Sequence, residues 1–441
     1  MYGRVVYPSA AMRLRLWVTF LFFWNIVRDL AGTLAARLRR SFRRAVLGEE
    51  SLAVGVDIFP FFERMTGVGW YEWNVLSRLP EVDPHVEVRL YAHTFGAPEE
   101  PPPPRLPTAV RTRFRFHHMP RGFLLPVRAT LWVLRLTVEP VLLFLDGNDV
   151  FFAPNFFVPR RHMAAVRSLV PTVHDLAFLR LPHTVQRETL DNLRRHFPGV
   201  LFAADALIAV SSATAGDLED VGGVSRRRVH VIHEGVDPEF ATRGSAPPGA
   251  LPARYLLFVS TLEPRKNVVN LLEAFARAVA QGYPGDLVLV GRWGWQTESA
   301  QQALRRSPVR ARVRHLNYLD REALSAVMRG AEALVFPSLL EGFGLPVVEA
   351  MACGVPVIVS RASSLPEVAG DAALYVDPHD PSDIAAAIGR LAGDPALRAC
   401  LGAHGRARAA RFRWEETARA TAAVLRRAGG LPERYSDAYR V

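Results

Sequence analysis

Between residues 255 and 359 the sequence alternates short apolar runs with longer segments of helical periodicity. This alternation predicts a parallel sheet with helices on both faces, because parallel strands require a crossover connection that is usually a helix. The apolar runs that we predict as strands are 255–260, 286–290, 312–316, 333–336 and 355–359. Ligands bind such sheets beyond the carboxyl ends of the strands, so functional residues are expected in the turns that follow these runs.

The turn after the fourth of these strands carries two glutamates, Glu341 and Glu349, on either side of a glycine-rich stretch. That stretch, which should start a helix, consists of Gly342, Phe343, Gly344 and Leu345. Free backbone N–H groups at a helix start bind phosphate. We expect Glu341 to hold sugar hydroxyls and Glu349 to hold a ribose. The alternative is an ordinary strand-to-helix turn with two solvated glutamates.

The turn after the first strand carries two adjacent basic residues, Arg265 and Lys266, before a helix predicted over 267–281. Lys266 is the only lysine in a chain that otherwise uses arginine. A planar guanidinium beside a compact ammonium at a helix start suits a diphosphate. The alternative is a solvated surface pair.

Together with two further motifs, Gly-Val-Gly at 67–69 and His-Asp at 174–175, these turns resemble the retaining GT-B glycosyltransferases of family 4. The resemblance covers about residues 51–425 and is closest to bacterial mannosyltransferase-like members that build surface polysaccharides. It implies an α/β fold in which two Rossmann-like parallel-sheet domains face a cleft. A nucleotide-diphospho-sugar would lie in that cleft.

The resemblance also implies roles for the two further motifs. His174 would contact the transferred sugar, and Asp175 would bind substrate beside it. The alternative for Asp175 is that it orients the turn or caps the next segment. The loop with Gly67 and Gly69 would face the donor phosphates and the acceptor. One stretch departs from the family: residues 233–235 read His-Glu-Gly where the family often has Pro-Asn-Gly, which concerns the acceptor side.

The implied reaction moves a hexose, with mannose as one candidate, from a GDP- or UDP-linked donor to a glycan or lipid-linked acceptor with retention of configuration. No carboxylate stands out as a nucleophile, so we expect attack by the acceptor on the same face, with a leaving phosphate oxygen as the base. The chemistry is expected from His174, Glu341, Arg265 and Lys266. No cofactor is expected, and the chain has no Asp-x-Asp to clamp a metal-bound nucleotide, so no metal is expected. The alternatives are a nucleotide-sugar epimerase of the same architecture and a non-catalytic membrane-associated assembly protein.

The first 48 residues carry most of the positive charge, with nine arginines against one acid, or +8 of the net +11. Their apolar run, 16–27, is shorter than the roughly 17–25 residues of a spanning helix. Trp and Phe beside arginines suit a helix that lies in a membrane interface with anionic headgroups. A marginal transmembrane anchor and an extension from a misplaced start codon are the alternatives. Charge confined to one tail argues against a nucleic-acid-binding surface.

The domain organisation follows from these segments. We predict a basic membrane-associating segment, an acceptor-side domain, a nucleotide-sugar-binding domain, and a C-terminal helix that crosses back with its tail, at 1–48, 49–245, 246–412 and 413–441. The two cysteines, Cys353 and Cys400, are far apart in sequence, which excludes a disulfide framework and fits a reducing compartment. The expected location is cytoplasmic, peripheral at the inner face of the cell membrane.

Overall fold

The computed structural model describes residues 50–58, 65–92, 115–116, 143–156, 158, 160–242 and 251–432, together with the helical positions Leu38 and Phe42. In this part of the chain the strands form two sheets, and all neighbouring strands within each sheet are parallel. The predicted α/β fold with two parallel sheets is therefore confirmed.

The first sheet has seven strands. They are β1 (Leu52–Asp57), β2 (Val86–Ala92), β3 (Arg115–Phe116), β4 (Val150–Ala153), β5 (Leu169–Val173), β6 (Leu207–Ala209) and β7 (Val229–Val231). Their order in space is β3-β2-β1-β4-β5-β6-β7. All residues of β4 and β5 are buried, as expected for central strands covered on both faces.

The second sheet has six strands. They are β8 (Tyr255–Val259), β9 (Asp286–Val290), β10 (Val313–Leu316), β11 (Ala333–Phe336), β12 (Val357–Ser360) and β13 (Ala373–Val376), in the order β10-β9-β8-β11-β12-β13. In both sheets the order reverses beside the first strand, between β1 and β4 and between β8 and β11. Such a reversal creates the crevice in which doubly wound sheets bind ligands.

Helices cover both sheets. Their bounds are α1 (Gly67–Val82), α2 (Arg160–Met163), α3 (Ala177–Arg180), α4 (Arg187–Ala203), α5 (Ser212–Asp220), α6 (Pro238–Ala241), α7 (Val268–Ala280), α8 (Glu298–Arg306), α9 (Arg321–Arg329), α10 (Leu345–Ala352), α11 (Leu365–Ala369), α12 (Pro381–Gly393), α13 (Pro395–Ala409) and α14 (Trp414–Ala428). Each strand of the second sheet except β13 is followed by one of the helices α7 to α11 before the next strand, as the alternation predicts.

Two elements of the second sheet differ from the prediction. The helix predicted from residue 267 begins at Val268, because Asn267 adopts a left-handed conformation with φ 60°. The edge strand β13 was not predicted, and three of its four residues are only half buried. Its sequence, Ala-Leu-Tyr-Val, is an apolar run like those of the predicted strands, so this strand could have been recognised by the same pattern.

The predicted membrane-associating segment, 1–48, lies outside the described residues except for Leu38 and Phe42, so its apolar helix and its membrane contact stay predictions. Among the described residues, no helix combines the length and the apolar character needed to cross a membrane. The predicted domain boundaries also stay predictions, since the one at residue 245 falls within 243–250, outside the described part of the chain.

The last helix, α14, crosses back to the first half of the chain, as the resemblance implies. Its Arg426 is fully buried and reaches Asp83, at the end of α1, with Nη1 to Oδ2 at 3.1 Å. Nη2 lies 3.2 Å from Glu50, and Nε donates to the Pro432 carbonyl at 2.9 Å. This buried pair ties the C-terminal helix to the first sheet.

Arg426→Met should lower the free energy of unfolding by about 3–5 kcal/mol, because it leaves the Asp83 carboxylate buried without its counter-charge. The measurement is the midpoint of thermal unfolding. Arg78→Met is the matched control: Arg78 also joins α1 to α14, at 2.9 Å from Glu415, but this glutamate is 53% exposed. The control should cost less than about 1 kcal/mol. Equal midpoints for the two variants would contradict the prediction.

Candidate active site

The turns at the carboxyl ends of both sheets line one cavity of about 550 Å³. Its wall contains all but one of the residues predicted to bind the donor or to carry the chemistry. These are Gly67, His174, Asp175, Arg265, Lys266, Glu341, Gly342, Phe343, Gly344, Leu345 and Glu349. The exception is Gly69, which is buried within α1. The structure therefore gathers residues from both halves of the chain around one cleft, and their individual roles stay predictions.

Lys266 and Glu341 form a buried ion pair in this cleft. The Lys266 Nζ lies 2.6 Å from Oε1 and 2.8 Å from Oε2 of Glu341. It also lies 5.6 Å from the ring centroid of Phe336, where the aromatic face attracts a cation. Burial raises the pKa of Glu341, but the charges of Lys266 and Arg265 outweigh burial and hold that pKa below its usual value. Glu341 is therefore ionised, and an anionic ligand here would compete with it for the ammonium.

Arg265 lies among three carboxylates. Its Nη1 donates to the Leu340 carbonyl at 2.7 Å and lies 3.3 Å from Glu341 Oε2 and 3.7 Å from Asp175 Oδ2. Its Nη2 lies 3.0 Å from Glu263 Oε1. Burial lowers the pKa of Arg265, but these carboxylates raise it by more. The guanidinium therefore stays charged and is fixed in one orientation.

These two cations precede α7, as predicted, and lie in a 3₁₀ turn, Pro264–Lys266. The cause is Asn267, whose side-chain amide donates to the carbonyls of Pro337 at 3.0 Å and Pro378 at 2.6 Å. These bonds hold Asn267 in its left-handed conformation, which delays the helix and turns Lys266 toward Glu341.

The glycine-rich turn meets the opposite half of the chain directly. A Cβ at Gly342 would lie 1.7 Å from the carbonyl oxygen of His174, so only glycine fits there. Gly344 caps α10 with φ 106°, a conformation that favours glycine. The Ser364 hydroxyl donates to the carbonyls of Glu341 at 3.0 Å and Phe343 at 2.9 Å. In the first turn of α10, Pro346 has no N–H and the Val347 N–H donates to the Gly344 carbonyl at 2.9 Å, so phosphate binding by this turn stays a prediction.

Glu349, on α10, lies beside a second arginine that the sequence analysis did not identify. Arg321 Nη2 lies 3.3 Å from Glu349 Oε1 and also pairs with Asp237. The Arg321 guanidinium lies 4.5 Å from the ring centroid of Trp70, on α1. The pKa of Glu349 is raised to about 7 in total, and burial is the largest cause. The charge of Arg321 lowers this pKa, whereas the charges of Asp237 and Glu234 raise it. Glu349 is therefore poised to titrate near neutral pH.

Glu349→Gln should raise the unfolding midpoint at about pH 8 and change it much less at about pH 5. The pKa of Glu349 rises from 4.5 to about 7 on folding, so the native state loses stability as pH rises through this window. Above about pH 7 the native protein keeps a buried charge that glutamine lacks. Glu273→Gln, on the exposed face of α7, is the control and should change the midpoint little at either pH. An equal effect of Glu349→Gln at both pH values would contradict the prediction.

His174 follows β5 and lies between two hydrogen-bond acceptors. Its Nε2 is 2.8 Å from the Pro154 carbonyl oxygen, and its Nδ1 is 3.2 Å from Glu234 Oε1. The ring of Tyr71, on α1, meets the imidazole edge-on at 4.9 Å between centroids. Burial lowers the pKa of His174, but Glu234, the Pro154 carbonyl and Asp175 together outweigh it, and the pKa is raised.

Gly67 and Asp175 line opposite parts of the cleft. A Cβ at Gly67, the first residue of α1, would lie 3.8 Å from Leu345 Cδ1, so this glycine faces the glycine-rich turn across the cleft. Asp175 Oδ1 accepts a hydrogen bond from the Ala177 N–H at 3.1 Å. This bond lies in the turn before α3, whose N-cap is Leu176, and the other oxygen of Asp175 lies 3.7 Å from Arg265 Nη1, so the role of Asp175 stays a prediction.

Further contacts join the two halves of the chain beside the cleft. Trp295 Nε1 donates to the Thr184 carbonyl at 2.8 Å. Glu367, on α11, accepts from the backbone N–H of Ser212 at 2.9 Å and lies 2.6 Å from His233 Nε2. Each contact joins the half built on the second sheet to the half built on the first.

The part of the chain that the structure describes has no cluster of metal-binding side chains. Within these ranges, no group of three or more His, Cys, Asp or Glu side chains is arranged to hold a metal ion. The expectation that transfer needs no metal stays a prediction.

Four residues of the site were missed by the sequence analysis: Glu234, Trp295, Arg321 and Ser364. Arg321 and Glu234 follow the carboxyl ends of β10 and β7, so the same strand-end rule that located His174 would have located them. For Trp295 and Ser364 no local sequence signal exists, because their partners lie in other elements of the fold.

Two family models match the chain. The model described as Glycosyltransferase Family 4 matches residues 65–240. The model described as Glycosyl transferases group 1 matches residues 249–408. Together they span most of both sheets and all the predicted site residues.

Individual relatives agree with the family models. The O-antigen chain mannosyltransferase B of Escherichia coli is 29% identical over 376 residues, which are 80% of this chain and 93% of the relative. The MMP α-(1→4)-mannosyltransferase of Mycolicibacterium hassiacum is 38% identical over 228 residues, 50% of this chain and 54% of the relative. Among solved structures, sucrose-phosphate synthase from Thermosynechococcus elongatus matches with a TM-score of 0.67 and 22% identity, over 85% of this chain and 98% of that one.

Proposed function

The chain belongs to glycosyltransferase family 4 and is a glycosyltransferase, and from this premise we propose that it transfers mannose from GDP-mannose to a growing surface glycan with retention of configuration. The mannosyltransferase names of two relatives support the choice of sugar. Nothing in the described residues favours an epimerase or a non-catalytic assembly protein.

The observation that carries the proposal is the buried Lys266–Glu341 pair with Arg265 beside it. Two fixed cations at the carboxyl ends of a parallel sheet suit a diphosphate. When the donor binds, its phosphate oxygens would accept hydrogen bonds from the Lys266 ammonium that Glu341 accepts in the free protein. Glu341 could then accept hydrogen bonds from sugar hydroxyls. Preorganised positive charge where negative charge develops is usually the largest catalytic term.

In the proposed reaction, an acceptor hydroxyl oxygen forms a bond to the anomeric carbon while the bond from that carbon to the diphosphate oxygen breaks. The electron pair leaves with GDP, and the acceptor proton passes to the departing phosphate oxygen. In this proposal Glu341 accepts hydrogen bonds from sugar hydroxyls and Glu234 is held by His174 at 3.2 Å, so neither carboxylate is assigned as a nucleophile. This arrangement supports same-face attack over a covalent glycosyl-enzyme intermediate.

The remaining features of the proposal concern the surroundings of the reaction. We propose a glycan or lipid-linked acceptor that approaches beside α1, no requirement for metal, and peripheral association of the basic segment 1–48 with the inner face of the cell membrane. The charge of that segment supports contact with anionic lipid.

The test is to titrate the purified chain with GDP-mannose, GDP-glucose and UDP-glucose, and to follow the unfolding midpoint and release of nucleoside diphosphate with an α-mannoside acceptor. We expect saturable stabilisation and turnover with GDP-mannose, unchanged by EDTA. NMR of the product should show an α-linkage. Turnover with another donor alone would overturn the choice of sugar, and a β-linked product would overturn retention.

A further inference from the structure

We propose that Glu234 is a positioning residue of this transfer reaction: it holds His174 as a doubly hydrogen-bonded imidazolium at the wall of the cleft. The inference rests on the proposed function. It also excludes His174 as a proton acceptor in the reaction, since both of its ring nitrogens are already engaged by the protein.

The hydrogen-bond geometry requires an extra proton on this pair. A carbonyl oxygen only accepts hydrogen bonds, so His174 Nε2, at 2.8 Å from the Pro154 carbonyl, carries a hydrogen. In a neutral imidazole, Nδ1 would then present a lone pair to Glu234 Oε1 at 3.2 Å. Two acceptors repel each other, so a proton must lie between Nδ1 and Oε1.

The charges around the pair place this proton on His174. The carboxylate of Glu234 and the neighbouring Asp175 favour the imidazolium, and their effect exceeds that of burial. Tyr71, from α1, faces the ring with its edge, and its hydroxyl is paired with Thr172 at 3.0 Å. Burial raises the pKa of Tyr71, so this side chain stays neutral.

The other elements packed on His174 add no competing charge at the ring. From α5, the Thr214 hydroxyl donates to the His174 carbonyl at 3.2 Å, and the glycine-rich turn places Gly342 against the same carbonyl. The Arg265 guanidinium lies 3.7 Å from Asp175 and 3.3 Å from Glu341, so its charge is shared between these carboxylates.

The backbone around Glu234 is clamped, which makes it suited to positioning. The Thr417 hydroxyl, on α14, donates to the His233 carbonyl at 2.8 Å. A Cβ at Gly235 would lie 2.3 Å from the Trp414 backbone nitrogen, so this segment rests directly on α14. The Glu234 side chain is only 6% exposed. The helix α14 thereby holds the Glu234 carboxylate in place, and Glu234 in turn holds the His174 ring.

The imidazolium adds a fixed positive charge to a cleft in which a diphosphate departs, and it requires no reorganisation during the reaction. The ring would act through its charge and its shape. Removal of the Glu234 charge should therefore lower kcat more than it changes KM for the donor.

The test compares the native chain with Glu234→Gln, whose amide can donate to Nδ1 and keeps the ring neutral. NMR titration of ¹³C-labelled histidine, assigned with His174→Asn, should show native His174 protonated to a higher pH than the ordinary value of about 6.5. In Glu234→Gln the titration should move down by at least about one pH unit. We expect kcat to fall about tenfold or more with KM within about threefold, and the alkaline limb of the rate profile to move down in pH.

The control is Glu332→Gln, which removes a carboxylate paired with Arg254 and Tyr283 far from the cleft, and it should change neither the titration nor kcat. A native His174 that titrates at or below the ordinary value would overturn the inference, and so would an unchanged kcat and rate profile in Glu234→Gln. If Glu234→Gln does not fold, the native titration still decides. Absence of turnover by the native chain on every donor would overturn the proposed function instead, while the titration would still test the His174–Glu234 pair.

Discussion

Replacement of Lys266 by methionine is expected to lower kcat/KM for sugar transfer by about 10³-fold. Methionine keeps most of the length of the side chain but removes the ammonium that lies within 2.8 Å of both Glu341 oxygens. The departing diphosphate would then lose one of the two adjacent basic side chains, Arg265 and Lys266, that are predicted to neutralise it. The measurement is release of nucleoside diphosphate under single-turnover and steady-state conditions.

The loss of Lys266 also affects stability, and a second variant separates the two effects. Removing one partner of a buried ion pair costs about 3–5 kcal/mol. The cost here should lie toward the lower end of that range, because Arg265 Nη1 still lies 3.3 Å from Glu341 Oε2. In Lys266→Met with Glu341→Gln no unpaired carboxylate remains, so the unfolding midpoint should recover while activity stays lost. Arg277→Met is the control, since Arg277 pairs with Glu273 on the exposed face of α7 and should leave the rate unchanged.

A rate for Lys266→Met within about tenfold of the native rate would contradict the proposed role, because a charge that stabilises the leaving group is worth more than that. Full activity in the double variant would contradict it equally. If the rate is low in Lys266→Met but recovers in the double variant together with the unfolding midpoint, Lys266 contributes only to the stability of the fold.

Gly342→Ala should lower kcat by about 10²-fold or more, because the two halves of the chain could no longer meet in register. The new methyl group would lie 1.7 Å from the His174 carbonyl oxygen, and backbone on both sides leaves no flexible side chain to move away. Thr214 bonds the carbonyls of both residues, so this contact fixes the distance between the donor-binding turn and His174.

Two measurements distinguish a block of closure from a loss of donor binding. Donor affinity should change little, since Arg265, Lys266 and Glu349 belong to one half, while small-angle scattering with donor should show a less compact molecule than the native one. Gly389→Ala is the matched glycine control: nothing lies within 4 Å of its Cβ position on α12. That substitution should leave kcat unchanged and stabilise the helix by about 0.5–1 kcal/mol. Native kcat in Gly342→Ala would contradict the proposed closure contact.

Local patterns predicted a large part of this protein. The strands 286–290 and 333–336 match β9 and β11 residue for residue. Central strands of a parallel sheet are buried on both faces and read as continuous apolar runs, so they are visible without tertiary information. The strand-end rule then placed His174 at the carboxyl edge of the first sheet, and Lys266 and Glu341 at the carboxyl edge of the second.

Pairing between distant residues could not be predicted in this way. The sequence suggested that Lys266 binds phosphate and Glu341 binds sugar, but not that the two side chains, 75 residues apart, contact each other. The same holds for Arg321, whose partners Asp237 and Glu349 come from different elements. Such contacts depend on how the elements pack, and no local pattern encodes that distance.

The sequence by itself determined the fold class, the two sheets and the edge at which the site forms, because strand burial and strand-to-helix turns are local properties of the chain. The tertiary structure decided which charges meet. It delayed α7 by turning Asn267 left-handed, and it pressed Gly342 against His174 from the opposite half. It also brought α14 back to clamp the segment that carries Glu234. These features depend on distances between elements far apart in sequence, which are fixed only when both sheets and the returning helix are packed together.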